Sequence, residues 1–413
     1  MLRAGEAPPN DAAADARGGW TRFRGPNGDG NSAAEVPVRW TEADYAWKAD
    51  LPGSGHSQPV IWGEKVFVTC ASEDGAERKV VSLDLSSGAS RWVRRFPAEV
   101  HEKHRLNSYA SSTPAVDGDR VYAAFSSPSA YRLHALDHDG KELWTRDLGR
   151  FQSQHGNGTS PILHEGLVIL GNDQDGPSSV FAVEAATGEV RWKAERRTQE
   201  VAYGTPCILR REGGKPELIL TSHAHGISSL DLATGALNWE ARVFDKRTVS
   251  SPVLAASGLV LAACGSGGGG NFLVAVRPGG KGDITETHVA YKLVRSIPYV
   301  TTPVVVDDLV VLWGDRGVVS AIEGATGKVL FQERVEGTFA GSPVRAGDRI
   351  YCMSAEGEAV VIKVGRKFEL LARNPLGEGS HSTPAIGGGR MLLRTFGRVL
   401  CVKAPQPASA TGG

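Results

Sequence analysis

Vicinal cysteines are missing, and so is every paired-cysteine motif. The five cysteines, at 70, 207, 264, 352 and 401, stand far apart and form neither a CxxC pair nor a CxxCH haem-attachment run. That argues against a thiolate metal site, a covalent haem and a disulfide framework. Four of them end apolar runs such as VFVTC and RVLC, as small buried strand residues do. An excess of charge is missing too: 46 Lys+Arg balance 46 Asp+Glu, for a formal net charge of +0. With no basic surplus, neither nucleic acid nor an anionic membrane surface is an expected partner. No apolar run approaches the ~20 residues of a membrane-spanning helix. The opening MLRAGEAPPNDAAADARGG lacks the apolar core of a signal peptide. Residues 1–18 and 405–413 read as disordered tails around a single domain over 19–404. A GxSxG elbow, an HExxH helix and a Ser-His-Asp order are absent as well, so no hydrolytic centre announces itself.

What the chain has is glycine, 51 residues of it, and repetition. The stretch SLDLATGALNW at 229–239 has near-copies at 82–92 (SLDLSSGASRW) and 182–192 (AVEAATGEVRW), with a version one residue shorter at 135–144 (ALDHDGKELW). Each reads as a strand, a tight turn whose glycine is free to take φ > 0, and a second strand reaching a large aromatic. A second phrase, a Ser/Thr-Pro or similar pair followed by alternating apolar residues, recurs at Pro59, Pro114, Pro161, Pro206, Pro252, Pro303, Pro343 and Pro384. Proline suits the first residue of a strand, which need not donate to the ladder. The spacings are 55, 47, 45, 46, 51, 40 and 41 residues. Eight units of that length, each with four short strands, predict an all-β fold: an eight-bladed β-propeller of four-stranded antiparallel blades.

The aromatics extend this reading. Trp92, Trp144, Trp192 and Trp239 fill units one to four, Tyr291 and Phe331 fill units five and six, and unit seven has only Leu371. Each would wedge between neighbouring blades, where an aromatic buries ~150–250 Å². Unit eight stops one strand short at VLCVKA. DYAWKADLPG at 44–53, with Trp47, is the segment predicted to supply that strand and leave no open edge.

If each unit starts near the axis at its proline, the connections between blades and the loops between second and third strands share one face. That face collects the unusual polar side chains. His56, Asn107, Tyr109, His155, Asn157, Tyr203, Tyr299 and His381 precede anchors, and His223 and His225 lie in second-to-third loops with Asp173 and Asp175. These ten His, Asn and Tyr residues form the candidate binding face, since loops on rigid scaffolds carry function. Polar residues also crowd there simply because a channel mouth is wet. No metal site is expected: the His56 and His381 pair has no third ligand. GSGGGG at 265–270 precedes a strand rather than a helix, so it holds no phosphate. The DQDG turn lacks both the glycine and the helices of a calcium loop.

The LDxxTGxxxW phrase resembles the tryptophan-docking motif of PQQ-like (pyrrolo-quinoline quinone) repeat propellers, a superfamily of quinoprotein alcohol dehydrogenases and BamB-like lipoproteins of the outer-membrane β-barrel assembly machinery. WTRFRGPNGDGNS at 20–32, DYAWKADLPGSGHSQPVIWGEKVFVT and RPGGKGDIT at 277–285 are most similar to members from planctomycete-type bacteria. The resemblance spans residues 20–403. It implies either a protein-binding scaffold in the periplasm or cell envelope, or an enzyme or sugar-like ligand sensor using the axial funnel. Quinoprotein enzymes add a vicinal disulfide, a Glu/Asn/Asp calcium cluster and an Asp base, and this chain has no adjacent cysteines. The expectation is therefore a non-catalytic, monomeric module without bound PQQ, its partner another protein engaged through a blade edge or the polar face. With no export signal visible, a cytoplasmic location is the alternative.

Overall fold

The computed structural model describes residues 19–26, 28–198 and 200–403; both expected tails lie outside the described residues. The eight anchors open eight sheets, spanning 60–97, 115–147, 162–196, 207–241, 253–293, 304–334, 344–375 and 385–403. They are numbered here as blades 1 to 8. Each blade is an antiparallel meander running from the axis outward. The eighth takes its fourth strand from Tyr45–Asp50, which runs antiparallel to Arg398–Lys403 with Trp47 opposite Cys401. The predicted propeller and its closure are thus both present. All five cysteines are free and buried.

Two short strands were not anticipated. Asn31–Ser32 runs parallel to the inner strand of blade 7, Val344–Ala346. Gly282–Asp283 runs parallel to the outer strand of blade 4, Leu237–Ala241. Each adds a fifth strand to a four-stranded blade.

The repeated phrase proves to describe an interface rather than a hairpin alone. In every blade the outer strand carries a β-bulge immediately before the aromatic position. A bulge inserts one residue and re-aims the next side chain. Here it turns the indole toward the following blade. The Trp47 Nε1–H donates to Leu85 O at 2.9 Å, and the Trp92, Trp144 and Trp192 indoles repeat the bond to His138, Ala185 and Leu232 carbonyls. The aspartate of the phrase organises the accepting turn: Asp231 Oδ1 takes the N–H groups of Ala233 and Thr234. The turn glycine has two reasons to be glycine. Gly88 has φ 74°, and a Cβ there would lie 2.5 Å from the Trp47 ring. The glycine of one copy therefore receives the tryptophan of the preceding blade.

Three interfaces depart from this pattern. Trp239 is 1% exposed, yet its indole donates to Glu217 Oε2 of its own blade, because blade 5 replaces the Thr-Gly turn with the connector containing Gly282–Asp283. Phe331 packs on Phe368 with centroids 5.8 Å apart. In blade 7 the residue after the bulge is Ala372, opposite Val361, and Leu371 is the bulged residue itself, which corrects the sequence alignment of that unit. The N-terminal segment makes good the deficit. Trp40, buried in the cluster that holds Ala372, is fixed by its backbone N–H to Asn374 Oδ1 and its indole to Tyr45 OH.

The Ser/Thr of the anchor phrase has its own role, which periodicity alone did not reveal. The backbone N–H of the residue before each proline donates to the hydroxyl of its counterpart in the next blade. The relay runs Gln58 to Thr113, Ser160, Thr205, Ser251, Thr302, Ser342 and Thr383, each link 2.9–3.3 Å. Buried N–H groups need acceptors. At the start of a proline-led strand the ladder supplies none, and the hydroxyl does. The hydroxyl is missing only at Gln58, on the seam between blades 8 and 1. There the side chain instead donates to Pro384 O and accepts from Arg24 N.

Residues 20–26 and 28–32 fill the axis. Trp20 pairs antiparallel with Ile61 of blade 1, and Asn31–Ser32 runs parallel to blade 7, so the segment enters and leaves by one face with its tip at the anchor ring. At that tip Arg24 is wholly buried. Its guanidinium donates to Pro303 O (2.7 Å), Pro343 O (2.9 Å), Asp29 O (2.9 Å) and Thr302 O (3.3 Å). Arg22 reaches Pro206 O at 3.4 Å, and Val116 N–H donates to Thr21 O. Two arginines thus satisfy the anchor-proline carbonyls of blades 4, 6 and 7.

Candidate functional site

The face opposite the entry of this plug carries the residues singled out from sequence. Its loops are stitched by carboxylates. Asp315, in the second-to-third loop of blade 6, accepts the Tyr299 and Val300 N–H groups of the incoming connector. Asp175 does the same for Gln154 and Val201, and Glu356 for Thr338. Connectors and second-to-third loops therefore do share one face.

Three polar groups ring the mouth. On the seam between blades 8 and 1, His56 and His381 meet edge to face, 4.7 Å between centroids, with Phe396 at 5.7 and 5.1 Å. Beneath them Arg394, 0% exposed, donates to Ser57 O at 2.9 Å. Burial first, then His381, Arg394 and Lys103, hold His56 well below the ordinary imidazole range. Between blades 2 and 3, His104 and His155 lie 4.8 Å apart. Asn107 Nδ2 donates to His155 O (2.7 Å) and Asn157 O (3.2 Å), while Asn157 reaches Tyr131 OH. Tyr109 OH donates to His101 O. The third group is Tyr203 and Tyr299 about Arg247, both phenols raised chiefly by burial.

The two remaining candidates separate. His223 is partly exposed. His225 is buried, and both its ring nitrogens are engaged. Nε2 accepts Arg197 N–H at 3.0 Å, which makes Nδ1 the protonated nitrogen, donating to Glu240 Oε2 at 2.6 Å. Asp173, in the same loop class, is buried in a two-pronged pair with Arg196 at 3.0 and 3.1 Å. Among the described residues no group of three or more His, Cys, Asp and Glu could hold a metal ion. Sequence reasoning passed over Arg394, Phe396, Arg247 and His104, whose only signal was position: each enters the mouth once the ring is closed.

Eight histidines (56, 101, 134, 138, 155, 164, 225 and 381) are lowered, burial being the first cause in each. Among the described residues burial raises only two carboxyls, Asp29 and Asp315, which act in the opposite sense. A lowered imidazole binds its proton more readily in the unfolded chain, so stability rises with pH across the interval between the two pKa values. Thermal melts from pH 8 to 4 are expected to be flat above about 7 and to fall progressively below about 6.5. His56→Gln should make the slope shallower, and a flat profile down to pH 5 would contradict the burial assigned to these rings.

Fold and site together define a closed eight-bladed propeller of PQQ-like repeats whose axis is filled by its own N-terminal segment. The family described as outer membrane protein assembly factor BamB matches residues 40–263 and 292–405, and the chain belongs to it. The unmatched interval, 264–291, contains the connector that replaces the Thr-Gly turn in blade 5.

Similar proteins include the outer membrane protein assembly factor BamB of Burkholderia pseudomallei (strain K96243), 26% identical over 320 residues covering 73% of each chain. The BamB of Moranella endobia (strain PCIT) is 27% identical over 255 residues, 58% of this chain and 61% of that one. A polyvinylalcohol dehydrogenase of Pseudomonas sp is 28% identical over 218 residues, 48% of this chain and 32% of that one. The chain thus spans about a third of the dehydrogenase and less than two thirds of the Moranella protein. Among solved structures, the quinohemoprotein alcohol dehydrogenase ADHIIG of Pseudomonas putida HK5 superposes with a TM-score of 0.64 at 13% identity, covering 99% of this chain and 85% of that one. Saccharomyces cerevisiae Sqt1 does so with a TM-score of 0.62 at 11% identity, covering 88% and 99%. At such identities these two speak to fold alone.

Proposed function

We propose that this chain is a non-catalytic protein-binding propeller of the bacterial cell envelope that contributes to outer-membrane protein assembly, as the name of its family describes for its relatives. The observation that carries this reading is the filled axis. A propeller that uses its funnel for a small molecule needs space there, and here Arg24 occupies the anchor ring with every acceptor a backbone carbonyl. Adjacent cysteines, which quinoprotein enzymes of the superfamily carry, are absent from this sequence.

What remains for function is the outside. Val190, Leu237, Val289, Val329 and Leu370 take the same register position in five consecutive blades, two residues before the aromatic position, and are 37–51% exposed. Each pairs with a buried apolar residue of the third strand, so the backbone presents them on a rigid arc. Rigid, partly exposed apolar side chains suit a protein partner. No helix of the described residues is long and apolar enough to cross a membrane.

A photo-crosslinking residue placed at Val190 or Val329 in the native host is expected to yield a discrete adduct containing a component of outer-membrane protein assembly. The reading fails if those positions give no adduct while added PQQ and calcium elicit dye reduction with alcohols.

A further inference from the structure

A cleft of about 330 Å³ opens away from the axis, between the end of blade 1's outer strand, Ser90–Pro97, and the hairpin of blade 2 formed by Arg120–Ser127 and Ala130–Asp137. Its wall is aromatic. Phe96 lies 6.0 Å from Phe125 and 4.0 Å from the His134 ring, centroid to centroid. That volume falls within the ~300–1,000 Å³ typical of small-ligand sites.

Arg78 lines the same cleft and is 1% exposed. Its Nη1 donates to Gly75 O at 2.6 Å, and the guanidinium lies 4.4 Å from the centre of the Tyr109 ring. Nε and Nη2, the edge that grips a carboxylate in two-pronged fashion, have no acceptor among the described residues. Burying a guanidinium without a counter-ion is costly. Arg196, a buried arginine on the outer strand of blade 3, shows how the fold settles that cost when the chain supplies the acid: Asp173 takes both prongs. At Arg78 the described residues supply none. Glu99, which also lines the cleft, already accepts Ser129 N–H at 3.1 Å. Arg132 adds a second cation, its nearest carboxylate Asp147 being 3.6 Å away.

We propose that this cleft binds a small organic monocarboxylate, the acid group taken by the free edge of Arg78 and its aromatic or aliphatic body laid on the Phe96–Phe125–His134 wall. The two N–H groups are covered in the unliganded chain, so binding carries a side-chain shift at the inner end of the cleft. Side-chain rearrangement with little backbone movement is common on binding. The proposal is independent of the envelope role and of the axial mouth.

The test uses the full chain and two matched pairs, phenylacetate with phenylacetamide and hexanoate with hexanamide, followed by ligand-observed NMR. The acids are expected to bind at least about tenfold more tightly than the amides, which lack the charge that strengthens the guanidinium bonds. Arg78→Gln should abolish the preference, with its folding checked by circular dichroism. Arg132→Gln should only weaken it. Should Arg78→Gln fail to fold, the acid–amide comparison in the unaltered chain still decides. Equal binding of acid and amide, no acid binding at about 10 mM, or an acid preference surviving Arg78→Gln would each overturn the proposal.

Discussion

Replacing Arg24 with methionine is expected to destabilise the propeller by about 4 kcal/mol. Methionine keeps the length and much of the volume of the side chain but offers no donor. Four carbonyls, of Asp29, Thr302, Pro303 and Pro343, then lose the guanidinium that satisfies them. Each buried acceptor left unpaired costs ~1–3 kcal/mol, and removing one partner of a buried charged network usually costs ~3–5 kcal/mol overall. Two effects work against the loss. Burial already lowers the Arg24 pKa to about 10, a sign of strong desolvation that methionine relieves. The carbonyls of Pro303 and Pro343 also border the axis, where a water entering behind the shorter side chain recovers part of the bonding. For a domain of this size the unfolding entropy scales to ~0.8 kcal/mol per kelvin, so the melting temperature should drop by about 5 °C. Arg24→Lys should fall between, because an ammonium has three donors and cannot span all four carbonyls. A loss below about 1 kcal/mol for the methionine variant would mean that the plug rests in the channel without holding it together.

That residue also marks where sequence reading stopped. The blades were legible because each is written locally: anchor proline, alternating apolar strand, Asp-led turn with glycine, aromatic. Closure was legible because Trp47 and its flanks copy the outer strands of other blades. The plug was not, since residues 20–32 repeat nothing and their partners lie up to 319 residues away, as Arg24 does from Pro343. Periodicity reports what is repeated, and a unique segment that fits an eight-fold ring has no period. The same limit explains Trp40, which stands in for the aromatic that blade 7 lacks, and the displacement of Leu371 by one position, where the bulge shifts register without leaving a mark in composition.

The candidate mouth was legible as a set of residues on one face but not as pairs. His56 and His381 came together because closure makes blades 1 and 8 neighbours. His225 and Asp173 share that loop class yet turn inward, and their partners Glu240 and Arg196 are ordinary charged residues on outer strands that no motif distinguishes. A loop position predicts a face, whereas burial of a side chain depends on whether the neighbouring blade offers a counter-charge.

Trp47→Ala should cost more than the same change at Trp144, although the two indoles make the same bond to the next blade. Part of the difference is packing. Trp47 is 8% exposed, whereas Trp144 is only partly buried, and truncating a buried aromatic costs ~3–5 kcal/mol. The larger part is topological. Blades 2 and 3, joined by Trp144, remain tethered through the continuous chain when their contact weakens. Blades 8 and 1 have no such tether: the strand Tyr45–Asp50 is held to Arg398–Lys403 only by noncovalent contacts, the ladder and the Arg398–Asp50 ion pair at 2.9 Å. Across this seam lie the Gln58 bond to Pro384, the Arg394 bond to Ser57 and the edge-to-face His56–His381 contact. If the strand detaches, these lose their alignment together, which defines a cooperative opening below global unfolding. Hydrogen exchange should therefore show the amides of Arg398–Lys403 losing protection in Trp47→Ala by about a hundredfold or more, equivalent to ~3 kcal/mol, with the blade 4 amides of Glu217–Ser222 little changed. In Trp144→Ala the Arg398–Lys403 amides should stay protected. Equal exchange in the two variants would place the weakest joint of the ring elsewhere, and the noncovalent seam would no longer account for why Trp47, alone among the docking aromatics, comes from the far end of the chain.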